Sequence, residues 1–475
     1  MPCTSYADDN IENLTESRSG VILVSTSEFD KTESDILAHV PEPKTAYEDS
    51  TSESEPALKI SPEDNYNIHG QATYIFQKKP GFDAPYDGPQ SLTHSPEKGY
   101  STTFTGFLGA RLWKGSELYW NPEAIQAVPL SNLHGLSGLT NSEQQKTSGP
   151  NPIFYNARLY LRQIVGFGGG REAVEDGPNQ LAGMVDKRRL TVTVGTLSIT
   201  DIFENAKYAH DPRTQFLNWS FFTYGAFDYA ADARGYTSGG AAELYYDDWA
   251  LRVGRFMVPK VSNGLQLDPQ IMKYHGDQIE VEHSHTFRDQ PGKIRILAFR
   301  NQAVMGRFDD AIAFAVAHGG VPDVGNVRKN TTKVGFGVSF EQAVSNDIGI
   351  FVRGSWADGE TETYSFAEIE NSLTGGMLAK GDSWGRERDT VGLAFAQNGL
   401  GSSHRAYLAA GGLGAFIGDG QLPHYEPERI VEAFYDINLI KSTSFMVDMQ
   451  RIENPAYNAD RGPVNVFSVR LHAEF

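Results

Sequence analysis

From about Asn65 to Phe475, apolar and polar side chains alternate in segments of about ten residues, set apart by clusters of Gly, Pro, Asn, Asp and Ser. A period of two belongs to a β-strand with one apolar face, and the clusters mark reversals of the chain. The last segment shows it most cleanly: Phe467, Val469, Leu471, Ala473 and Phe475 share one face, Ser468, Arg470, His472 and Glu474 the other. About sixteen such segments can be marked, centred near Ala72, Gly109, Tyr119, Leu159, Val192, Leu244, Val253, Val281, Ile296, Phe336, Ile350, Leu393, Leu408, Ala433, Val447 and Val469. The connections alternate in length. Those from odd to even segments are long (80–100, 121–151, 199–237, 307–330 and 359–385), and those from even to odd are mostly short, as at Lys114-Gly115-Ser116, Tyr246-Asp247-Asp248 and Lys441-Ser442. A soluble sandwich has no reason to sort loops by parity, whereas a bacterial outer-membrane barrel puts long loops outside and short turns in the periplasm. The expected fold is all-β, a transmembrane antiparallel up-and-down β-barrel of about 16 strands over residues 65–475. One connection, 168–187, should be short and is not, which predicts either an insert or a miscounted strand.

Composition removes the other way of crossing a membrane. The 475 residues are 40% hydrophobic, yet no run of eighteen or so is uncharged and apolar, so a helical span is excluded. An even strand number brings both ends to one side, which predicts the N-terminal leader and Phe475 in the periplasm. Residues 1–64 hold fifteen Asp/Glu and four Lys/Arg, a net −11 of the chain's −19, and lack a sustained apolar period. Such a segment cannot offset its ordering entropy by burial, so a disordered periplasmic leader is expected. The acidic balance argues against nucleic acid as a partner. Cys3, the single cysteine, excludes an internal disulfide and a Cys-based metal cage. The start Met1-Pro2-Cys3-Thr4 has no basic or apolar signal region, and a mature form with a precursor beginning further upstream is expected.

Several stretches go beyond pattern: Asp201-Ile-Phe-Glu-Asn205, Ala209-His-Asp-Pro-Arg-Thr-Gln-Phe-Leu-Asn-Trp219, Asp228-Tyr-Ala-Ala-Asp-Ala-Arg-Gly235, Gly411-Gly-Leu-Gly-Ala-Phe-Ile-Gly-Asp-Gly420 and Asn454-Pro-Ala-Tyr-Asn-Ala-Asp-Arg-Gly-Pro-Val464. In this order they resemble the carbohydrate-selective porin family, the OprB-like outer-membrane porins, from about Asn65 to Phe475. The resemblance implies a sixteen-stranded monomeric barrel admitting monosaccharides and small polyols by facilitated diffusion. The partners it implies are small sugars with the lipid and lipopolysaccharide of the outer membrane, and neither cofactor nor covalent chemistry.

A barrel of this size encloses an aqueous channel, so selectivity needs something to narrow it. The third extracellular loop, about Asp201 to Gly235, is long and polar. Folded inward, it would carry Asp201, Asn205, Tyr208, His210, Asp211, Arg213, Gln215, Asn218 and Trp219 across the lumen. The plainer alternative is that Asp211, Arg213 and Asn218 brace the loop against the wall. Alternation sends Arg111, Arg158, Arg162, Arg189, Arg252, Arg295 and Arg353 inward, with Glu117, Glu243, Glu280, Glu282, Glu432, Asp436 and Asp448. Charges of both signs suit a neutral polyhydroxyl solute, whose hydroxyls donate and accept. Most of these groups are expected to be Arg/Glu pairs that stiffen the wall. Tyr74, Phe76, Trp113, Trp120, Trp249, Trp356 and Tyr435 are candidates for interfacial girdles, Trp113 with inward parity.

Enzymatic readings are weaker. His283 and His285 lack a third placed metal ligand, and Glu280 and Glu282 lie on one face of one strand, whereas glycosidase carboxylates face each other across a cleft. The rival readings are a soluble β-rich carbohydrate-binding protein or glycoside hydrolase, and a channel whose solute is not a sugar.

Overall fold

The structure is a computed structural model that describes residues 64–144, 149–365 and 368–475. The leader expected over 1–64, with Cys3, lies outside the described residues except for Asp64. Sixteen antiparallel strands form one closed barrel: β1 (Tyr66–Lys79), β2 (Glu97–Trp113), β3 (Ser116–Val128), β4 (Gly149–Gly166), β7 (Arg189–Leu197), β8 (Thr237–Tyr246), β9 (Trp249–Phe256), β10 (His275–Phe287), β11 (Gln290–Met305), β12 (Lys329–Ala343), β13 (Ile348–Ala357), β14 (Asn371–Gly381), β15 (Arg386–Gly399), β16 (Glu428–Ile440), β17 (Thr443–Glu453) and β18 (Val464–Glu474). The strand β18 closes on β1, in register from Gln71 opposite Glu474 to Lys78 opposite Phe467. Closure matters because an unpaired backbone N–H or C=O in hydrocarbon costs several kcal/mol, about what one lost hydrogen bond is worth without water, and a closed barrel has no edge to leave one.

The alternation read from the sequence is the alternation of the wall. Val466, Ser468, Arg470 and His472 are buried inside, while Phe467, Leu471 and Phe475 are exposed outside, as are Phe104, Val194, Leu251, Phe336, Val338 and Leu393 on other strands. Trp113 departs from its expected inward parity. The β2–β3 register shifts between Arg111 and Trp113, and beyond the shift Trp113 is exposed, its indole N–H donating to Gln163 Oε1 at 3.0 Å.

Two strand assignments are corrected. Leu408 sits on a helix, Ser402–Ala409, whose buried His404, Tyr407 and Leu408 follow helical spacing. The missing strand is β14, whose Gly375, Gly376 and Gly381 read as turn chemistry and whose outer face offers little beyond Leu373 and Met377. The two errors offset each other, so the count of sixteen stands. The long stretch 359–385 therefore divides into a loop, β14 and a short turn.

With that repair, loop length sorts by rim. One rim carries the long connections L1 (80–96), L2 (129–148), L3 (198–236), L4 (257–274), L5 (306–328), L6 (358–370), L7 (400–427) and L8 (454–463). L3 contains the short helix α1 (Trp219–Phe222), L5 the helix α2 (Phe308–His318) and L7 the helix α3 (Ser402–Ala409). Phe308 and Ala311 of α2 pack with Tyr407 and Leu408 of α3, joining L5 to L7. The other rim has turns of two to four residues, with one exception. The 167–188 connection carries an extra hairpin, β5 (Arg171–Val174) with β6 (Gly183–Asp186), so the insert, not a miscounted strand, is the reason for its length.

Candidate functional site

L3 is tied to the inward faces of strands all around the ring. Arg353 of β13 holds Glu204 at 2.6 Å and donates to the Phe221 carbonyl at 2.9 Å. Arg470 of β18 donates to the carbonyls of Pro212 and Gln215 at 2.9 and 2.7 Å. The backbone N–H groups of Leu217 and Asn218 donate to Glu432 of β16, that of Glu204 to Glu280 of β10, and that of Lys207 to Glu341 of β12. A segment bonded to opposite walls of a closed barrel lies across its lumen. The walls make room for it: a Cβ at Gly349 or Gly337 would stand 2.0 and 2.7 Å from the rings of Tyr208 and Tyr224.

Arg213 anchors the loop from its own side. Its Nε donates to Glu143 at 3.0 Å, one terminal nitrogen to Thr105 at 3.0 Å and the other to Glu123 at 2.8 Å, and only 5% of the residue is exposed. Burial alone would lower its pKa, but Glu143 and Glu123 outweigh that and carry it well above the ordinary guanidinium value. Asn218 caps α1 through the Ser220 N–H and donates to Gln450 of β17, both at 3.0 Å. These two residues hold the loop: Asn218 is wholly buried, and Arg213, although it reaches the edge of a cavity, has every side-chain nitrogen engaged. Burial also pulls the His210 imidazole below its usual pKa, which leaves a neutral ring stacked on Phe222 with centroids 5.4 Å apart.

Beside L3 lie two polar cavities. The first, about 260 Å³, is bordered by Arg158, Asp201, His210, Asp211, Arg213 and Tyr236. The second, about 520 Å³, has Arg162, Tyr160 and Arg189 on one side, Arg252, Glu282 and Arg295 on the other, and Asn205 of L3 at its edge. Asp201 borders both and receives two 2.6 Å hydrogen bonds from Arg158. The far side of the second cavity is a ladder of charge across five neighbouring strands. Arg252 on β9 contacts Glu243 on β8 at 3.1 Å, Glu280 on β10 at 2.8 Å and Glu282 at 3.4 Å. Glu282 also meets Lys293 and Arg295 on β11 at 3.0 and 2.6 Å, and Arg295 reaches Glu341 on β12 at 3.0 Å. Beside it on the lining, Arg162 lies 5.6 Å from the Tyr160 ring centre and Arg189 4.1 Å from that of Tyr245, whose hydroxyl donates to Glu243 at 2.6 Å. The cavities therefore present fixed donors, fixed acceptors and aromatic surface, the set that a ring of hydroxyls can engage.

The family model for the carbohydrate-selective porin, OprB family, matches residues 109–475, more than three quarters of the chain. The chain belongs to the carbohydrate-selective porin family. It is accordingly an outer-membrane β-barrel channel for carbohydrate. Among solved structures, the high-pH structure of Pseudomonas putida OprB has a TM-score of 0.67 at 14% identity, covering 86% of this porin and 94% of that chain. The low-pH structure of the same Pseudomonas putida protein has a TM-score of 0.47 at 12% identity, covering 86% of this porin and 93% of that chain. The DcaP channel of Acinetobacter baumannii has a TM-score of 0.46 at 9% identity, covering 86% and 97%. At 14% identity the likeness to the high-pH structure is one of fold. No curated protein matches the chain.

Of the residues singled out in the sequence of this porin, Arg158, Arg162, Asp201, Asn205, His210, Asp211, Arg213, Arg252, Glu282 and Arg295 border one or both cavities. Glu280 belongs to the ladder through Arg252 but is fully buried and borders neither cavity. Arg111 and Glu117 pair with each other at 3.4 Å near the short-turn rim. Tyr208 and Gln215 border a separate cavity of about 470 Å³ beside the turn residues 345–348. His283 stacks on Trp249 and His285 on Phe340, a surface use of both rings. Sequence reasoning missed L2, which also enters the lumen. Its Thr140 carbonyl accepts from Gln77 and Gln450 at 2.9 and 2.8 Å, and its Leu139 carbonyl from the Trp219 N–H of L3 at 2.9 Å. Nothing in Ser-Asn-Leu-His-Gly-Leu-Ser-Gly-Leu-Thr distinguishes it from a solvated loop; the available signal was the pair of inward amides, Gln77 and Gln450, on strands close to each other in the ring.

Proposed function

We propose that this porin passes monosaccharides and related small polyols by facilitated diffusion, with L3, braced by L2, narrowing the lumen. The single observation that carries the reading is the composition of the second cavity, where guanidinium and carboxylate groups alternate around the lining and arginines lie over the tyrosine rings set among them. A neutral polyol replaces water at such a wall hydrogen bond for hydrogen bond, while an ion of either sign meets groups that repel it as well as groups that attract it. In this reading Arg158, Arg162, Asp201, Asn205, Arg252, Glu282 and Arg295 contact the solute, and Arg213 and Asn218 keep the narrowing loop in place. The long loops face outward and the short-turn rim, where β1 starts and β18 ends, faces the periplasm. Each barrel holds a complete lumen and works as a monomer.

Conductance of single channels in planar bilayers tests the solute contacts. With KCl as carrier, added glucose is expected to depress the conductance in a saturable manner and beyond the fall in conductivity of the bulk solution. A decrease that only tracks bulk conductivity would mean that the lumen does not engage the sugar.

A further inference from the structure

The short-turn rim is closed by two to four residues at every reversal except the one between β4 and β7. There the β5–β6 hairpin exposes Arg171, Ala173, Glu175, Asp176 and Pro178 and buries Leu181, Ala182 and Gly183. Its tip, residues 175–182, turns back into the barrel mouth, closed by paired hydrogen bonds between Gly177 and Gln180, both 3.0 Å.

The wall is built to receive it. Asn67 of β1 donates to the Asp176 carboxylate at 2.7 Å and to the carbonyls of Gly177 and Gln180 at 3.1 and 2.8 Å. Asn121 of β3 reaches the Asn179 side chain at 2.9 Å, and Arg162 of β4 the Asn179 carbonyl at 3.1 Å. The Tyr119 hydroxyl accepts the Leu181 N–H at 3.1 Å, and Leu181, wholly buried, joins the core cluster that includes Tyr119 and Tyr160. Inward side chains of three strands, β1, β3 and β4, thus satisfy successive polar groups of the tip, which a casually placed loop would leave to water. The docked hairpin borders both cavities, Pro178 at the first and Val174, Gln180 and Val185 at the second, where Asn205 and Lys207 of L3 lie among the facing residues.

We propose that the β5–β6 hairpin is a second selectivity element of the pore, a restriction at the short-turn rim whose docked tip, with L3, limits the size of solute that leaves the second cavity. The proposal rests on the sugar-pore reading for its solute and on the hairpin's own geometry for the restriction. A polar loop turned into the lumen narrows a barrel whichever rim it comes from. Here the hairpin residues that border the cavities, Val174, Pro178, Gln180 and Val185, are uncharged, so the hairpin sorts by size and leaves charge to the ladder.

The shortening of the hairpin is made straightforward by the Lys187 N–H, which already donates to the Gly170 carbonyl at 3.0 Å. Residues 171–186 can therefore be replaced by Asn-Gly, a two-residue turn, without moving β4 or β7. The shortened porin is expected to show a single-channel KCl conductance raised by roughly two-fold or more, and a ratio of disaccharide to glucose swelling rates that climbs toward equality. Asn67→Ala removes three docking hydrogen bonds at full chain length. It is expected to give a smaller rise with noisier open-channel current, and it supplies the answer if the shortened chain inserts poorly. Inserted variants with wild-type conductance and wild-type solute ratio would overturn the proposal and leave the hairpin as a brace. Failure of wild-type porin to pass glucose would instead refute the sugar reading, and the KCl conductance of the variants would still decide the restriction.

Discussion

Arg213→Ala is expected to loosen L3 from the β2–β3 wall and lower the stability of the barrel by about 3–5 kcal/mol, the cost of stranding buried charges. The side chain satisfies Glu123 and Glu143 at once and carries a third hydrogen bond to Thr105, with all three carboxylate and guanidinium groups almost fully buried. Its loss leaves two carboxylates facing each other, so the effect exceeds that of a surface pair, worth about 0–1 kcal/mol. The measurements are the temperature at which the folded band converts to the unfolded one in detergent gels and the single-channel conductance. The first should fall and the second should rise and grow noisier as the loop samples positions away from the wall. Arg213→Lys keeps a charge but not the three-way fork and should lie between. A variant with wild-type melting and conductance would show that L3 is held by its other anchors alone.

Arg252→Ala is expected to change what the pore admits. One guanidinium touches Glu243, Glu280 and Glu282, and of these only Glu282 has further cations, Lys293 and Arg295, within reach in the ladder. Removing it leaves a cluster of acidic groups beside the second cavity, and rings of carboxylate favour cations. The reversal potential in a KCl gradient should shift toward the potassium value, while glucose entry slows because one fixed donor is gone. Glu280 also accepts the Glu204 N–H of L3, so some loosening of the loop should accompany the change in selectivity. An unchanged reversal potential would mean that the ladder does not face the conducting path.

Much of this was legible in the sequence because a barrel wall obeys a local rule. Period two placed Arg252, Glu280, Glu282 and Arg295 on one face without reference to any distant residue, and neighbouring strands then had to bring them together. The length parity of the connections marked 167–188 as exceptional, since an insert adds residues whatever its path. The path itself could not be read. That the tip of this hairpin docks on Asn67, or that L2 reaches Gln77 and Gln450, depends on side chains brought close only by closure of the ring. The same holds for Arg213 and Asn218, whose polar character fits a solute contact as well as an anchor, and only their burial distinguishes the two. Where local signals conflicted, the reading failed: the glycines of β14 outweighed its alternation, and the short apolar run around Leu408 fits a strand as well as one face of α3. Trp113 escaped because one shift in register reverses parity without any mark in composition.

The most direct test of sugar passage through this lumen is the swelling of liposomes containing the folded porin in isotonic glucose, a disaccharide and a charged solute of similar size. Rapid swelling in glucose, with slow swelling in the disaccharide and the charged solute, is the expected result. Equal rates for all three, or no swelling from protein shown to be inserted, would contradict a narrowed, sugar-selective pore.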